Sequence, residues 1–452
     1  MKRIVSSFVL LLLALTLFSG LQFVGSVSAN FFPIPIPQPA FTIKWDGSVS
    51  PSTAPIQRDE DVYTFTDDIV GYTIVVERNN IVLDGGGFIL KGNGNSTGVF
   101  IKNRAGVTVR NMEVSNFSYG IKLVAEDYVG YTSSNNSFSG NTLTNNKYGI
   151  HISSSHNNVF RNNRMNNNQY NFGIRGGYLS DRKFGYKNDI DTSNTVDGKP
   201  IIYWVNQQDR TVPSGVGYVA LVSCMNITVP NLNLANNKDG VLLVSTTDSI
   251  VTKNNITKMG IGIYSYLSSN NTISGNNINN NTNTGIELLA SNNNSISENY
   301  IANNPVGILI ADSSKNEIIK NLITENSNWG MQFTGDQKNN IIYHNSFINN
   351  NAKGEGLQVS INSEHHNAWD NGPSGNYWSD YLTRYPEASE GYSSGRGDTE
   401  FYINSGNIDH HPLMEPRIIP EFPSWASMLF PLITLAAVLS IYKWRLTKKL
   451  TR

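Results

Sequence analysis

The chain of 452 residues has a single cysteine, Cys224, so no disulfide can form within it. Without a basic neighbour or partner histidine, that thiol reads as a small buried strand residue. Charge is scarce too: Asp, Glu, Lys and Arg make up 15% of the chain, against about 25% in ordinary globular proteins. The 34 basic residues do not exceed the 35 acidic ones, which excludes the electrostatic footprint of a sequence-independent nucleic-acid binder. Helical apolar periodicity is missing from the central half. What the chain has is asparagine, 61 of them, beside 38 glycines. Bulk disorder does not fit, because 39% of the residues are hydrophobic and regularly spaced.

The two ends suggest a location. Lys2 and Arg3 precede an apolar run from Ile4 to Phe18, and Val27-Ser28-Ala29 has the small residues of a cleavage site, so residues 1–29 read as a secretory signal peptide. Residues 30–56 form a Pro-rich segment. Trp425 to Tyr442 is an uncharged, mostly apolar run just long enough to span a bilayer. The basic tail 443–452 follows it, which predicts a cytoplasmic C-terminus and an extracellular body. Within 417–424, Pro420-Glu421-Phe422-Pro423 before that helix resembles the sorting signals that archaeosortase-type enzymes cleave.

Repeats dominate the middle. Gly240, Gly262, Gly285, Gly307 and Gly330 each precede an apolar residue, at spacings of 22, 23, 22 and 23. A second marker keeps the same period: Asn254, Asn276, Asn299, Asn321 and Asn345, each with apolar residues at fixed offsets, and Asn231 stands one period earlier. Gly98, Gly120 and Gly149, with Asn111, Asn141 and Asn162, fit more loosely, and the long step from Gly120 to Gly149 leaves room for a lateral loop around residues 126–136. Short Ile- and Val-rich pieces separated by Asn, Gly and Ser describe three strands per period, one coil of a parallel β-helix. Stacked at ~4.8 Å, isoleucine lies over isoleucine, and the asparagines form a hydrogen-bonded ladder. Roughly ten coils make a rod of about 50 Å.

Three segments carry a family resemblance, over roughly residues 57–416. Asn80-Ile81-Val82-Leu83-Asp84-Gly85-Gly86-Gly87 resembles the opening turn of NosD-like right-handed β-helices. Residues 190–201, running into Tyr203-Trp204, resemble that family's insert, placed at 169–222 between two repeat blocks of a helix at 57–350. Residues 367–381 with Pro412-Leu413-Met414 resemble its C-terminal closing segment, in a cap at 351–416. The resemblance implies an all-β, right-handed single-stranded parallel β-helix with a C-terminal cap, here followed by one transmembrane helix. It also implies a calcium-like loop, but residues 389–398 lack the alternating acids and carry Arg396, so no calcium is expected.

Function must come from a site. The slot before the ladder asparagine reads Lys253, Gly275, Glu298, Lys320, His344, with Arg110 and Arg161 in earlier turns: a mixed-charge solvent row rather than an acid/base row. No catalytic residue or cofactor is assigned. The pairs His365-His366 and His410-His411 are weak metal candidates, because NosD is described as copper-binding, although adjacent residues on extended chain point opposite ways. Tyr203, Trp204 and Trp329 are candidate glycan contacts, while the aromatics from Trp369 to Tyr381 are expected to cover the open end of the helix. Eight Asn-x-Ser/Thr sequons also occur. The expected protein is a membrane-tethered, non-enzymatic module that binds polysaccharide or envelope glycans or serves a structural role. The alternatives are a polysaccharide lyase or hydrolase with its site by the insert, and a NosD-like metal-centre accessory. No nucleic-acid partner is expected.

Overall fold

The computed structural model describes residues 39–126, 133–176, 184–351, 357–391 and 395–416. The signal peptide, the sorting motif, the apolar run 425–442 and the basic tail lie outside them. No helix among the described residues is long and apolar enough to cross a membrane. Two compact units divide the chain, Met1–Pro39 and Ala40–Arg452. The second is a right-handed parallel β-solenoid of about 12 turns.

One coil shows how the sequence makes the repeat. Thr284–Leu289 sends Ile286 and Leu288 into the core and leaves Glu287 and Leu289 facing out, while Ser295–Ser297 and Tyr300–Ala302 bury Ile296 and Ile301. The next coils add the same residues in register, Ile263 to Ile286 to Ile308 to Met331. The repeated glycine is a close-approach position. A Cβ on Gly285 would lie 2.6 Å from the Gly307 carbonyl oxygen, and one on Gly262 would lie 2.5 Å from that of Gly285.

Each corner pairs a left-handed residue with an inward-turned one. Lys253, Glu298, Lys320 and His344 have φ between 54° and 59°, and the residue that follows each is a buried ladder asparagine. Asn276 shows the bonding. Its backbone N–H and side-chain amide both donate to Asn299 Oδ1 at 2.9 Å, and the amide also donates to the carbonyls of Val251 and Ser274. Such a buried amide is fully satisfied, which burial requires. Three corners per coil carry these ladders. Asn271, Asn294, Asn316 and Asn340 form one, and Asn281, Asn304, Asn326 and Asn350 form another, on either side of the column through Asn254.

The coils do not form one rod. The first solenoid ends at Thr195–Val196, which pairs antiparallel with Lys199–Val205 across Asp197-Gly198, both at positive φ. Beyond this hairpin one sheet of the first solenoid continues into the long-strand sheet of the second, making a 14-stranded sheet. Its faces change roles there. Ile201, Tyr203, Tyr218, Ala220, Leu242, Val244, Tyr264 and Tyr266 belong to the core of the first solenoid, while Ile202, Val219, Leu221, Val241 and Leu243 belong to the second. The outer face of the second solenoid therefore closes the open end of the first. Reversing strand direction while turning the sheet over keeps both stacks right-handed.

Several expectations are corrected by these contacts. Asn231 is not in the ladder: it is exposed at φ 55°, and Leu232 holds the ladder position, its N–H donating to Asn254 Oδ1. Asn111 and Asn162 are likewise left-handed corner residues, and the ladder of the first solenoid runs through Asn141, Asn163 and Asn194. Arg110 and Arg161 accordingly sit one place earlier, at strand ends. The solenoid starts within the segment 30–56, because Ala40–Ile43 pairs in parallel with Thr73–Val76. The region 169–222 is largely coil and hairpin, since Tyr170–Arg175 is a regular strand paired with Tyr148–Ser153. Cys224 is buried at a corner rather than in a strand, its N–H donating to Thr246 Oγ1.

Candidate functional site

Of the expected glycan contacts, Tyr203 and Trp204 line one groove, and Trp329 lies apart from it. Tyr203 is buried and donates its hydroxyl to the Tyr186 carbonyl. Trp204 is half-buried under Arg210, whose guanidinium lies 4.4 Å from the ring centre, beside an open groove of about 410 Å³ that Tyr203, Asn188, Asp189 and Gln207 also line. Trp329 sits six strands further along the same sheet, roughly 29 Å away by strand spacing. Trp369 and Trp378 are buried under the last coil, their indole N–H groups donating to Asn407 and Asp409. The four histidines are engaged singly: His366 by the Gly406 carbonyl, His410 by Glu400 at 2.6 Å, and His411 with Asp370 at 3.7 Å. His365 takes part through its backbone, its N–H donating to the Asn362 carbonyl and its carbonyl accepting from Asn407.

Chemistry-bearing side chains gather instead where the solenoids meet. On the outer face of the first solenoid's long-strand sheet, parallel register stacks Tyr119 on Tyr148 on Tyr170. The first two rings are 4.8 Å apart and parallel, and the next two are 4.9 Å apart. The neighbouring column places Lys122, His151 and Gly173 in line. His151 lies 5.4 Å from the Tyr119 ring and 5.3 Å from that of Tyr148, and Lys122 Nζ stands 4.4 Å over Tyr119. Gly173 has no side chain because the second solenoid crosses there: a Cβ would meet the Lys238 Cβ at 2.8 Å.

The second solenoid supplies the facing groups. Arg175 makes a bidentate pair with the buried Asp239, at 2.5 and 2.7 Å, and its guanidinium lies 4.7 Å over Tyr264. Tyr170 shares a hydrogen bond with Thr282, and Lys238 Nζ lies 5.8 Å from the Tyr170 ring. Burial sets the protonation states. It pushes His151 down to about 3, helped by the cations of Lys122, Arg175 and Lys238, so the imidazole is neutral. Its Nδ1 is buried without a partner among the described residues. Burial also lowers Lys122 and Lys238 and raises Tyr119, Tyr148 and the Glu287 carboxyl. Burial opposes the charge on Arg175, but Asp239 overrides it and holds the guanidinium protonated.

This set lacks the carboxylate pair of a hydrolase. A hydrolytic pair needs one proton-bearing and one free carboxylate. Here Asp239 is committed to Arg175, leaving Glu287 alone. Phenols whose pKa burial has raised stay protonated near neutral pH. What remains is a row of hydroxyls, a neutral imidazole and two lysines. The row was legible in principle, since Tyr119 and Tyr148 each immediately precede a marker glycine.

The architecture defines a right-handed parallel β-helix, and comparison with known proteins narrows it. Residues 64–187 match the family profile described as right handed beta helix region, and residues 180–383 match the profile for the periplasmic copper-binding protein NosD. Together the two matches support a NosD-like right-handed parallel β-helix. No curated protein matches the sequence. Among solved structures, it is similar to the A-module of Azotobacter vinelandii mannuronan C-5 epimerase AlgE6, at 12% identity over 68% of this chain and 87% of that one, with a TM-score of 0.28. It is also similar to the Dettilon tailspike protein, at 14% identity over 66% of this chain and 59% of that one, TM-score 0.31. A third is the periplasmic alginate epimerase AlgG, at 14% identity over 63% and 78%, TM-score 0.25.

The copper of the family description does not fit the residues present. Among the described residues no group of three or more His, Cys, Asp or Glu can hold a metal ion. Cys224 is buried, with its thiol on the carbonyls of Trp204 and Val222.

Proposed function

We propose that this protein is a surface-anchored, non-enzymatic module that binds a polysaccharide chain in the crook between its two solenoids. The observation that carries the reading is the row of Tyr119, Tyr148 and Tyr170 beside Lys122, His151 and Lys238. Sugar hydroxyls need polar partners in a fixed array, which the half-buried Tyr119, Tyr148 and Lys238 supply. The anchor belongs to the same proposal and rests on the apolar run 425–442 with its basic tail.

The test is a glycan array on the full chain in detergent, followed by titration of the polysaccharide it retains. Replacing Tyr148 by Phe and Lys238 by Met should each weaken binding about tenfold, a loss of about 1.4 kcal/mol. New reducing ends or unsaturated sugars from the bound polysaccharide would favour the enzymatic alternative instead. Binding that survives both substitutions would overturn the placement in the crook.

A further inference from the structure

The sequon asparagines play no part in the crook, yet the fold sorts them. The ladder asparagines are buried, whereas all eight sequon asparagines are exposed. Most stand at left-handed corners, where the side chain leaves the surface and the next residue turns inward. They divide further by bonding. The amide of Asn116 donates to the Gly92 carbonyl at 2.8 Å, that of Asn226 to Asp209 at 2.7 Å and that of Asn280 to Asn279 at 2.7 Å. The amides of Asn95, Asn135, Asn255, Asn270 and Asn293 make no hydrogen bond among the described residues.

We infer that Asn95, Asn135, Asn255 and one of the pair Asn270 and Asn293 carry N-linked glycans. A transferase acting on a lipid-phosphate-linked oligosaccharide joins the asparagine Nδ2 to the anomeric carbon. The bond from that carbon to the phosphate oxygen breaks, the lipid phosphate leaves with the electron pair, and the amide loses one proton. The Ser or Thr two residues on completes each acceptor. Only one of Asn270 and Asn293 is filled per molecule. They occupy the same corner of adjacent coils, joined where the Asn270 N–H donates to the Asn292 carbonyl, so their anchors lie about 5 Å apart, closer than two sugar chains can pack.

Intact-mass and glycopeptide spectrometry of the full-length protein from its native source tests this. The mass should exceed that of the polypeptide by whole glycan masses, with glycopeptides at the named positions. Asn135→Gln should remove one glycan mass and leave thermal unfolding unchanged, because the side chain is exposed and unbonded. Asn270→Gln alone should leave the number of glycans unchanged, and Asn270→Gln with Asn293→Gln should remove one. A native protein with the mass of its polypeptide, glycans confined to Asn116, Asn226 and Asn280, or glycans on both Asn270 and Asn293 in one molecule would each overturn it. Polysaccharide binding by unglycosylated protein is measured apart from this, so the two readings fail separately.

Discussion

Asparagine does two different jobs at adjacent positions of many corners. The left-handed residue needs a short polar side chain or glycine, and the inward residue needs an amide that both accepts and donates across coils. Asn276 can be removed as a test. Asn276→Ala would strand the Asn254 N–H, take one of two acceptors from the Asn254 amide and remove a donor from the Val251 carbonyl, at a cost of roughly 3–5 kcal/mol in unfolding free energy measured by denaturant. The ladder through Asn345 and Asn376 ends on Asp409, which also accepts from the Trp378 indole. Burial raises the Asp409 carboxyl to about 7, so the folded cap favours the protonated acid. Its contribution is full below about pH 4 and is lost as the pH rises through 7, roughly 2–3 kcal/mol between pH 5 and 8. Melting of the wild type should therefore fall over that interval. Asp409→Asn should flatten the profile, and an unchanged slope would show that the acid does not titrate there.

At the scale of the element, the period and the glycine column were legible because a backbone packed against a backbone tolerates no side chain. Gly285→Ala would press a methyl to 2.6 Å from the Gly307 carbonyl, costing roughly 1–3 kcal/mol. Gly275→Asn should cost almost nothing, since its corner is open and other coils put Lys253, Glu298 or Lys320 there. Comparing the two melting temperatures checks the distinction. The ladder could be read in the middle of each stack but slipped at its start. Columns begin on residues such as Met112 and Leu232, which need only give a backbone N–H to the next coil, so an apolar side chain serves. The visible asparagines beside them, Asn111 and Asn231, are corner residues, and Asn162-Asn163 offers both choices at once. Two further ladders went unread because they substitute freely, as where Ser249 replaces asparagine ahead of Asn271.

The meeting of the two solenoids was the least legible feature of the whole molecule, although Asp197-Gly198 is a strong two-residue hairpin signal. Periodicity describes one coil on the next, and nothing in it says that an outward face will be covered. Tyr264, Tyr266, Leu242 and Val244 break the rule that such positions face water, and they do so only where the first solenoid ends. The Arg175–Asp239 pair fixes that contact with a buried charge on the second solenoid's side. A buried ion pair adds little over a well-packed apolar pair, but losing one partner strands the other at a cost of about 3–5 kcal/mol. Arg175→Met should thus loosen the junction strongly, whereas Arg175→Met with Asp239→Leu should recover most of the loss. Calorimetry reads the difference. The single variant should split one unfolding transition into two as the stacks uncouple, and the double variant should restore a single transition. If the single variant still melts as one unit, the apolar face alone holds the stacks together, and the charge pair serves instead to keep Arg175 over Tyr264 at the edge of the crook.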